Sequence, residues 1–472
     1  MNALKDHDDR QDRLKREVVA GDDTSLVRQR PNAPVSNLTV RRELVTLAWP
    51  IATAMLGETA IGLVDTKLVG GLGSAALGGV GLATTLMFLA YAFIFGLMRG
   101  VKVATAHAEG LRRAGDGFAY ARAGVVMGAA LGLGVLVLCR DASPLLRAIG
   151  ADPTIIPYAR DFLAAVTWGA PALCALAPLI QYRQAIGDAR TPMIVSISGN
   201  VFNAVFAWAF IYGHFGLPAL GARGGGYATA ITKVLELSIM LGLLVRLERR
   251  GDRATLAVGK AMKEVVALGG PMGLQFFAEM LAFAAFTAVL GSLGRAEIAA
   301  HQIALSVIRV SFLPGIAIAE AASVLVGRAL GARNLPLADR ITQHALETAI
   351  AFMALCGASF AVFGGIIARF FSDDPEVFVI AKKLLLVAAL FQVLDAVNIV
   401  FRGALRGAKD VKVVAAIGIF IVWTCVPTAA WVLGRQLGMG ALGGWIGFVG
   451  ETVLAAALFR MRWKRGAWRN QY

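Results

Sequence analysis

The sequence predicts an all-α integral membrane protein with twelve transmembrane helices in two pseudo-symmetric six-helix lobes. Three observations predict this fold class: the composition, the length of the apolar runs, and a repeat that relates the two halves of the chain. Of the 472 residues, 57% are hydrophobic and only 16% are charged. In an ordinary soluble domain, about a quarter of the residues are charged. This composition excludes a disordered chain, a coiled coil and a disulfide-rich secreted module, and a soluble protein could not bury so much apolar surface.

Twelve apolar runs are long enough to be membrane spans, because a helix needs about 20 apolar residues to cross the hydrocarbon core. Glycine, proline or charged residues separate the runs. The predicted spans lie near residues 44–68, 75–98, 118–139, 158–180, 192–213, 226–246, 264–290, 298–323, 342–369, 377–401, 411–434 and 440–461. The amino terminus mixes both charges and lacks a short apolar core with a cleavage site, so it is not a signal peptide.

Basic residues are concentrated in alternate connections between the predicted spans, and this asymmetry gives the orientation. One set of connections contains Lys102, Arg112, Arg113, Arg183, Arg190, the arginines and lysines from Arg246 to Lys263, Arg328, Arg333, Arg340 and those from Arg402 to Lys412. The opposite connections are poorer in basic residues. The positive-inside rule therefore predicts that both termini are cytoplasmic. These topology signals account for the net charge of +15, so we expect no nucleic-acid partner.

The second half of the chain repeats the first at a spacing of 221 residues. The matching pairs are Pro50 with Pro271, Glu58 with Glu279, and Gly70 with Gly291. An even number of helices in each repeat predicts parallel repeats related by an axis along the membrane normal, with substrate sites at their interface. The predicted regions are a cytoplasmic tail at 1–43, an N-lobe at 44–246, a cytoplasmic linker at 247–263, a C-lobe at 264–461 and a cytoplasmic basic tail at 462–472.

Acidic residues lie inside several predicted spans, where an unpaired carboxylate is costly and usually functional. Glu58 and Asp65 are seven residues apart in helix 1, which places them on one face. Glu279 lies in the corresponding helix 7. Asp395 lies in helix 10, and Asn398 follows it by three residues on the same face. We expect no basic residue to lie mid-span near Glu279 and Asp395.

These carboxylates suit three kinds of chemistry. They could bind Na⁺ through carboxylate and amide oxygens, carry a proton if burial raises the pKa of a carboxyl, or attract a cationic organic substrate. Glu279 and Asp395 are therefore a candidate Na⁺ site, with Asn398 as a further oxygen ligand. Arg402, two turns beyond Asp395, is assigned to the cytoplasmic end of helix 10, and His301 to a structural role. We expect no cofactor besides a coupling ion.

Aromatic side chains in helix 7 are candidates for lining a cavity that binds flat amphipathic molecules. Packing in the core or against lipid is the alternative for each of them. The residues assigned to the substrate cavity are Glu58, Phe276, Phe277, Phe283 and Phe286.

Four sequence motifs resemble those of one transporter family. Helix 1 contains Val64-Asp65-Thr66, and helix 10 ends in Gly403-Ala404-Leu405-Arg406-Gly407. Helix 7 contains PMGL at 271–274, and helix 8 contains AAHQIA at 299–304. Helices 4 and 5 are joined by QAIGDARTP at 184–192. Together, and in this order over nearly all of residues 44–460, the motifs resemble the multidrug and toxic compound extrusion (MATE) family, in particular its NorM-like branch.

This resemblance implies a V-shaped pair of six-helix lobes that exports cationic amphipathic compounds against an influx of Na⁺ or H⁺. It implies that Glu279 and Asp395 are the carboxylates of a C-lobe cation site. It also implies that Asp65 takes part in proton coupling with Asn203 as its partner. Ala207 stands where some members carry a second acidic residue, which favours the C-lobe pair. We expect a monomer in the lipid bilayer of a bacterial-type inner membrane, acting on small organic cations.

Two other functions remain as alternatives. The first is a lipid-linked oligosaccharide flippase of a related superfamily, in which cavity arginines are more usual than carboxylates. The second is a membrane-embedded enzyme, but the sequence contains no HExxH, GxSxG or P-loop lysine motif. The charges within the predicted spans are acidic, which favours the exporter over the flippase.

Overall fold

The structure, a computed structural model, describes residues 36–251 and 254–471. The described chain contains twelve helices that are long and apolar enough to cross a membrane, which confirms the predicted number. They are α1 (Asn37–Gly70), α2 (Ser74–Gly110), α3 (Ala114–Cys139), α4 (Ile156–Ala185), α5 (Arg190–Tyr212), α6 (Ala222–Glu248), α7 (Val258–Leu293), α8 (Arg295–Gly331), α9 (Leu335–Phe371), α10 (Pro375–Gly407), α11 (Val411–Gln436) and α12 (Gly440–Arg465). Most of the predicted tail at 1–43 lies outside the described residues.

Several helices continue beyond the apolar runs that predicted them. The predicted second span ends near residue 98, but α2 continues to Gly110. Its last turns contain the charged residues Arg99 and Lys102 and are packed inside the protein, where side-chain partners replace the lipid. Within α4, a turn of 3₁₀ helix at Thr167–Gly169 interrupts the α-helical hydrogen bonding. A short helix, Ser143–Ala148, lies between α3 and α4.

The two six-helix halves are related by pseudo-twofold symmetry in their packing. Helix α1 packs on α8, and its symmetry equivalent α7 packs on α2, while α2 and α8 also contact each other. Glycine permits the closest of these contacts: a Cβ atom on Gly96 would lie 2.5 Å from Cα of Gly273, and one on Gly100 would lie 2.5 Å from the carbonyl oxygen of Val265. Small residues let helix backbones approach in this way.

Burial changes along the helices at the lobe interface. Between residues 74 and 90 of α2 only four residues are buried, whereas most residues from Tyr91 to Ala108 are buried. The buried residues of α8 are likewise concentrated between Ala317 and Gly331. The lobes are thus packed together at the end of the molecule where α2 and α8 terminate, which we call the closed end. The opposite halves of these two helices are more exposed.

Hydrogen bonds between the lobes reinforce the closed end. Arg328 of α8 donates from Nη2 to the carbonyl oxygen of Ala185 in α4, at 2.6 Å. His107 of α2 lies with Nε2 at 2.8 Å from the carbonyl oxygen of Gly407 in α10. The connection between the lobes is also anchored, because Asp116 accepts hydrogen bonds from the backbone nitrogens of Thr255 and Leu256 at 3.1 and 3.0 Å.

Candidate transport site

Glu279 of α7 forms an ion pair with Arg402 of α10. Arg402 donates from Nη1 to Oε1 of Glu279 at 3.2 Å, and the two side chains are 17% and 19% exposed. Gln275, one turn earlier in α7, donates to the same Oε1 at 2.8 Å. Its own Oε1 accepts from Arg406 at 2.9 Å. Glu279 is therefore held by a cation and an amide, at a position that solvent still reaches.

This pairing corrects two expectations from the sequence. A basic residue does lie beside Glu279, and Arg402 is an interior side chain rather than a topology signal at the end of helix 10. The reason is that α10 continues to Gly407, so Arg402 lies more than one turn inside it. An arginine side chain is long enough to reach from α10 to α7. The sequence does not reveal this contact, because it does not show which helices are neighbours.

Asp395 is more buried than Glu279 and accepts a hydrogen bond from a neighbouring amide group. The Nδ2 of Asn398 donates to Oδ1 of Asp395 at 3.2 Å, which places these two predicted residues together. Gln392, one turn earlier, donates to the hydroxyl of Ser311 at 2.8 Å. Among the described residues, Asn398 Oδ1 and Gln392 Oε1 are buried and accept no hydrogen bond. A buried acceptor without a donor costs about 1–3 kcal/mol, so these oxygens suit a cation or a water molecule.

Glu451 of α12 is a third acidic residue near Asp395 and Glu279. It interacts electrostatically with both carboxylates and with Arg402, and Arg402 also interacts with Asp395. The sequence analysis missed Glu451, although an acidic residue inside the last predicted span, 440–461, was a usable signal. Arg406 is also buried and reaches this region through Gln275, so the C-lobe cluster contains three carboxylates and two guanidinium groups.

The N-lobe contains a second charged cluster around Glu58. Its carboxylate accepts from the hydroxyl of Ser196 at 2.9 Å and from Nζ of Lys233 at 3.4 Å. Lys233 also binds Oε2 of Glu236 at 3.1 Å. Lys233 is 12% exposed and Glu58 is 49% exposed. Sequence reasoning missed Lys233 and Glu236, although two charges near the middle of the predicted span 226–246 were visible in the sequence.

Asp65 and Asn203 lie in the same lobe, but no hydrogen bond joins these two described residues. The Nδ2 of Asn203 donates instead to the hydroxyl of Thr229 at 3.2 Å. Asp65 interacts electrostatically with Glu58 and Lys233. In the described part of the chain, Oδ1 of Asp65 and Oδ1 of Asn203 are buried and accept no hydrogen bond. The lobe thus offers free acceptor oxygens in two places.

A third charged group joins the lobes at the closed end. Lys102 of α2 forms an ion pair with Glu320 of α8 and donates to Oε1 of Gln184 in α4 at 3.3 Å. Arg99 lies with Nη2 at 3.5 Å from the same glutamate. Because these partners come from α2, α4 and α8, the pair can form only while the lobes are in contact at this end.

The predicted aromatic residues divide into two environments. Phe276 lies between the lobes, with the Arg99 guanidinium 5.3 Å from its ring centre and Phe88 packed edge-on at 6.3 Å. Phe277 and Phe283 are partly buried. Phe286 is 0% exposed, so its assignment to an open substrate cavity is wrong. It fills the C-lobe core with Phe448, because that face of α7 turns towards α12 rather than the lobe interface.

The described residues contain no group of three or more histidine, cysteine, aspartate or glutamate side chains placed to hold a metal ion. A Na⁺ ion near Asp395 would therefore need amide or hydroxyl oxygens in addition to carboxylates, and Asn398, Gln392 and Ser311 carry such atoms.

Comparisons with known proteins give the family. The MatE family pattern matches residues 50–209 and 271–431, one match in each half of the chain. A protein of Shewanella oneidensis, "Probable multidrug resistance protein NorM", is 29% identical over 433 residues, which are 89% of this chain and 94% of that protein. "Multidrug resistance protein NorM" of Aliivibrio fischeri is 29% identical over 429 residues, 89% of this chain and 93% of that protein.

The fold is also similar to solved structures. A MOP superfamily transporter from Pyrococcus furiosus, described by the reverse polarity of its binding pocket, superposes with a TM-score of 0.82. The superposition covers 95% of this chain and 99% of that one at 21% identity, so it supports the fold alone. Two family matches at the predicted repeats, two similar full-length sequences and twelve spanning helices agree. The chain therefore belongs to the MatE family of multi-pass membrane transporters.

Proposed function

We propose that this chain is a multidrug exporter that exchanges cationic amphipathic compounds for an inward-moving Na⁺ or H⁺. The observation that carries the proposal is the cluster around Asp395. It combines a buried carboxylate with two amide oxygens that accept no hydrogen bond within the described residues, an arrangement that favours a small cation. The names of the similar NorM proteins support multidrug resistance as the activity.

The proposed orientation places the closed end and both termini in the cytoplasm of a bacterial-type inner membrane. The connections at that end carry most of the basic residues, and the positive-inside rule supports this side. The described conformation would then be closed to the cytoplasm, with the more exposed halves of α2 and α8 facing outward. We propose that the transporter acts as a monomer in the bilayer, and that small organic cations are its substrates.

The proposed cycle is alternating access between the two lobes. A coupling cation entering from outside neutralises Asp395 and its neighbours, which weakens their attraction for a bound organic cation and favours its release. Each unit charge that moves down about 100 mV releases about 2.3 kcal/mol. At about 1.4 kcal/mol per tenfold, one ion could maintain roughly a fiftyfold gradient of a neutral substrate.

The test is drug uptake into inverted membrane vesicles under separately imposed Na⁺ and pH gradients. Asp395→Asn should abolish the response to the coupling gradient, and Glu279→Gln should reduce it. Arg223→Gln is a matched control, because Arg223 pairs with Asp161 on an exposed surface away from both clusters. Gradient-driven uptake that is unimpaired in both acidic variants would refute the assignment of the C-lobe site.

One observation favours the flippase as a second candidate. Acidic residues within the predicted spans favour the exporter, yet four basic residues, Arg99, Lys102, Arg402 and Lys233, are also interior. Each of these four is paired with a glutamate, so their charge is compensated and the exporter is still preferred. Inhibition of dye transport by a lipid-linked pyrophosphate sugar, but not by organic cations, would reverse this preference.

A further inference from the structure

The same position of the two repeats is paired with a basic side chain in both lobes. Glu58 and Glu279 correspond at the repeat spacing, and they accept from Lys233 and Arg402 respectively. The repeat does not explain this coincidence. Lys233 comes from the sixth helix of the first repeat, whereas Arg402 comes from the fourth helix of the second. Two different helices thus supply a cation to the same carboxylate position.

We propose that Lys233 and Arg402 are built-in counterions, and that a transported organic cation binds at Glu58 and Glu279 by displacing them. The inference rests on the proposed export of organic cations and adds the step by which such a cation is bound. The ligand class is a monovalent organic cation whose positive group replaces the ammonium or guanidinium group at the carboxylate.

The contacts are weak enough to be exchanged. Lys233 lies 3.4 Å from Glu58, and Arg402 approaches Glu279 through Nη1 alone at 3.2 Å. The second distance is at the upper limit of the usual range for hydrogen bonds, and the first exceeds it. The strong form of an arginine–carboxylate pair is bidentate and shorter. Glu58 is also half-exposed, so an incoming cation can approach the carboxylate from solvent and replace the lysine there.

Each counterion keeps a partner after it leaves its glutamate. Lys233 remains bound to Glu236, which is buried beside it at 3.1 Å. Arg402 interacts electrostatically with Asp395 and Glu451. Displacement therefore leaves Lys233 in contact with a carboxylate and leaves Arg402 in the electrostatic field of two others, which lowers the cost of breaking a buried pair. Each cluster contains at least one more carboxylate than a simple ion pair requires.

The expected effect of removing a counterion is tighter binding of the organic cation. When a site is available in only a fraction of the molecules, its apparent dissociation constant is the intrinsic value divided by that fraction. If the glutamate is free in about a tenth of molecules, removal of the counterion should lower the apparent Kd roughly tenfold. A purely structural role predicts the opposite sign, because the site would be damaged.

The experiment measures binding of rhodamine 6G, a fluorescent organic cation, to the purified full chain in nanodiscs by fluorescence polarisation. Arg402→Gln and Lys233→Gln should each bind roughly tenfold tighter than the wild type, and Arg223→Gln should bind as the wild type does. Because Lys233→Gln leaves Glu236 without its cation, the double variant Lys233→Gln/Glu236→Gln serves as the second measurement if the single variant does not fold.

A double-mutant cycle separates displacement from a general change in electrostatic potential. In a Glu279→Gln background, Arg402→Gln should no longer tighten binding, because the carboxylate that the arginine occupies has been removed. Tightening that persists in this background would overturn the inference for the C-lobe, since it would arise from charge alone. Binding that is unchanged or weaker in both single variants would overturn it entirely.

The outcomes also distinguish this inference from the proposed function. Tighter binding in the variants without any response of transport to Na⁺ or pH gradients would support displacement and refute ion coupling. No binding of rhodamine 6G to any form would refute both proposals. Tighter binding in one variant alone would support the inference for that lobe and overturn it for the other.

Discussion

Removing the negative charge of Glu320 should open the closed end. Glu320 of α8 pairs with Lys102 of α2, whose side chain is buried, and also with Arg99 at 3.5 Å. Glu320→Gln keeps the size of the side chain but leaves both basic residues without their carboxylate. Since the three residues meet only when the lobes are in contact at this end, the substitution should destabilise the closed conformation and leave the open one unaffected.

The size of the effect follows from the burial of the pair. Removing one partner of a buried ion pair costs about 3–5 kcal/mol. Glutamine retains one acceptor oxygen, so the lower value of about 3 kcal/mol applies. That free energy is roughly a hundredfold in an equilibrium constant. A conformation favoured about a hundredfold in the wild type would then be nearly equally populated with the open one.

The assay is a distance measurement between spin labels across the closed end. Arg113→Cys follows α2 and Ala332→Cys follows α8, and both positions are exposed. The four native cysteines are replaced first. The wild type should give one short distance, and Glu320→Gln should add a longer component of comparable population. An identical distance distribution in both proteins would refute the role of this ion pair in holding the lobes together.

Three further predictions concern packing and binding. Gly96→Leu should separate α2 from α7 and lower the midpoint of thermal unfolding measured in detergent, because even its Cβ would lie 2.5 Å from Gly273 Cα; an unchanged midpoint would contradict the packing. Phe286→Ala should destabilise the C-lobe by about 3–5 kcal/mol without changing which dyes compete for transport. A changed dye preference would instead show that Phe286 lines the substrate cavity. Asp395→Asn should retain rhodamine 6G binding but lose its inhibition by the coupling cation, and inhibition equal to that of the wild type would place the ion elsewhere.

Hydropathy and spacing determined the fold class, the number of helices and the repeat. These features are local, because a span is recognised from about 20 consecutive residues and a repeat from matching residues at a fixed spacing. The matches of the family pattern at 50–209 and 271–431 agree with that repeat. The pairing of Asp395 with Asn398 was also accessible, since both lie on one face of the same helix.

Only the tertiary structure decided which charges meet. Arg402 and Glu279 are 123 residues apart, and Lys233 and Glu58 are 175 apart, so no helical periodicity links them. Charged residues within a predicted span could have been noted, as Lys233, Glu236 and Glu451 show, but their partners depend on which helices are neighbours and how far long side chains reach. A carboxylate in the membrane must be paired, hydrated or protonated. The sequence shows which carboxylates need this compensation, but only the packing of the helices determines which groups provide it.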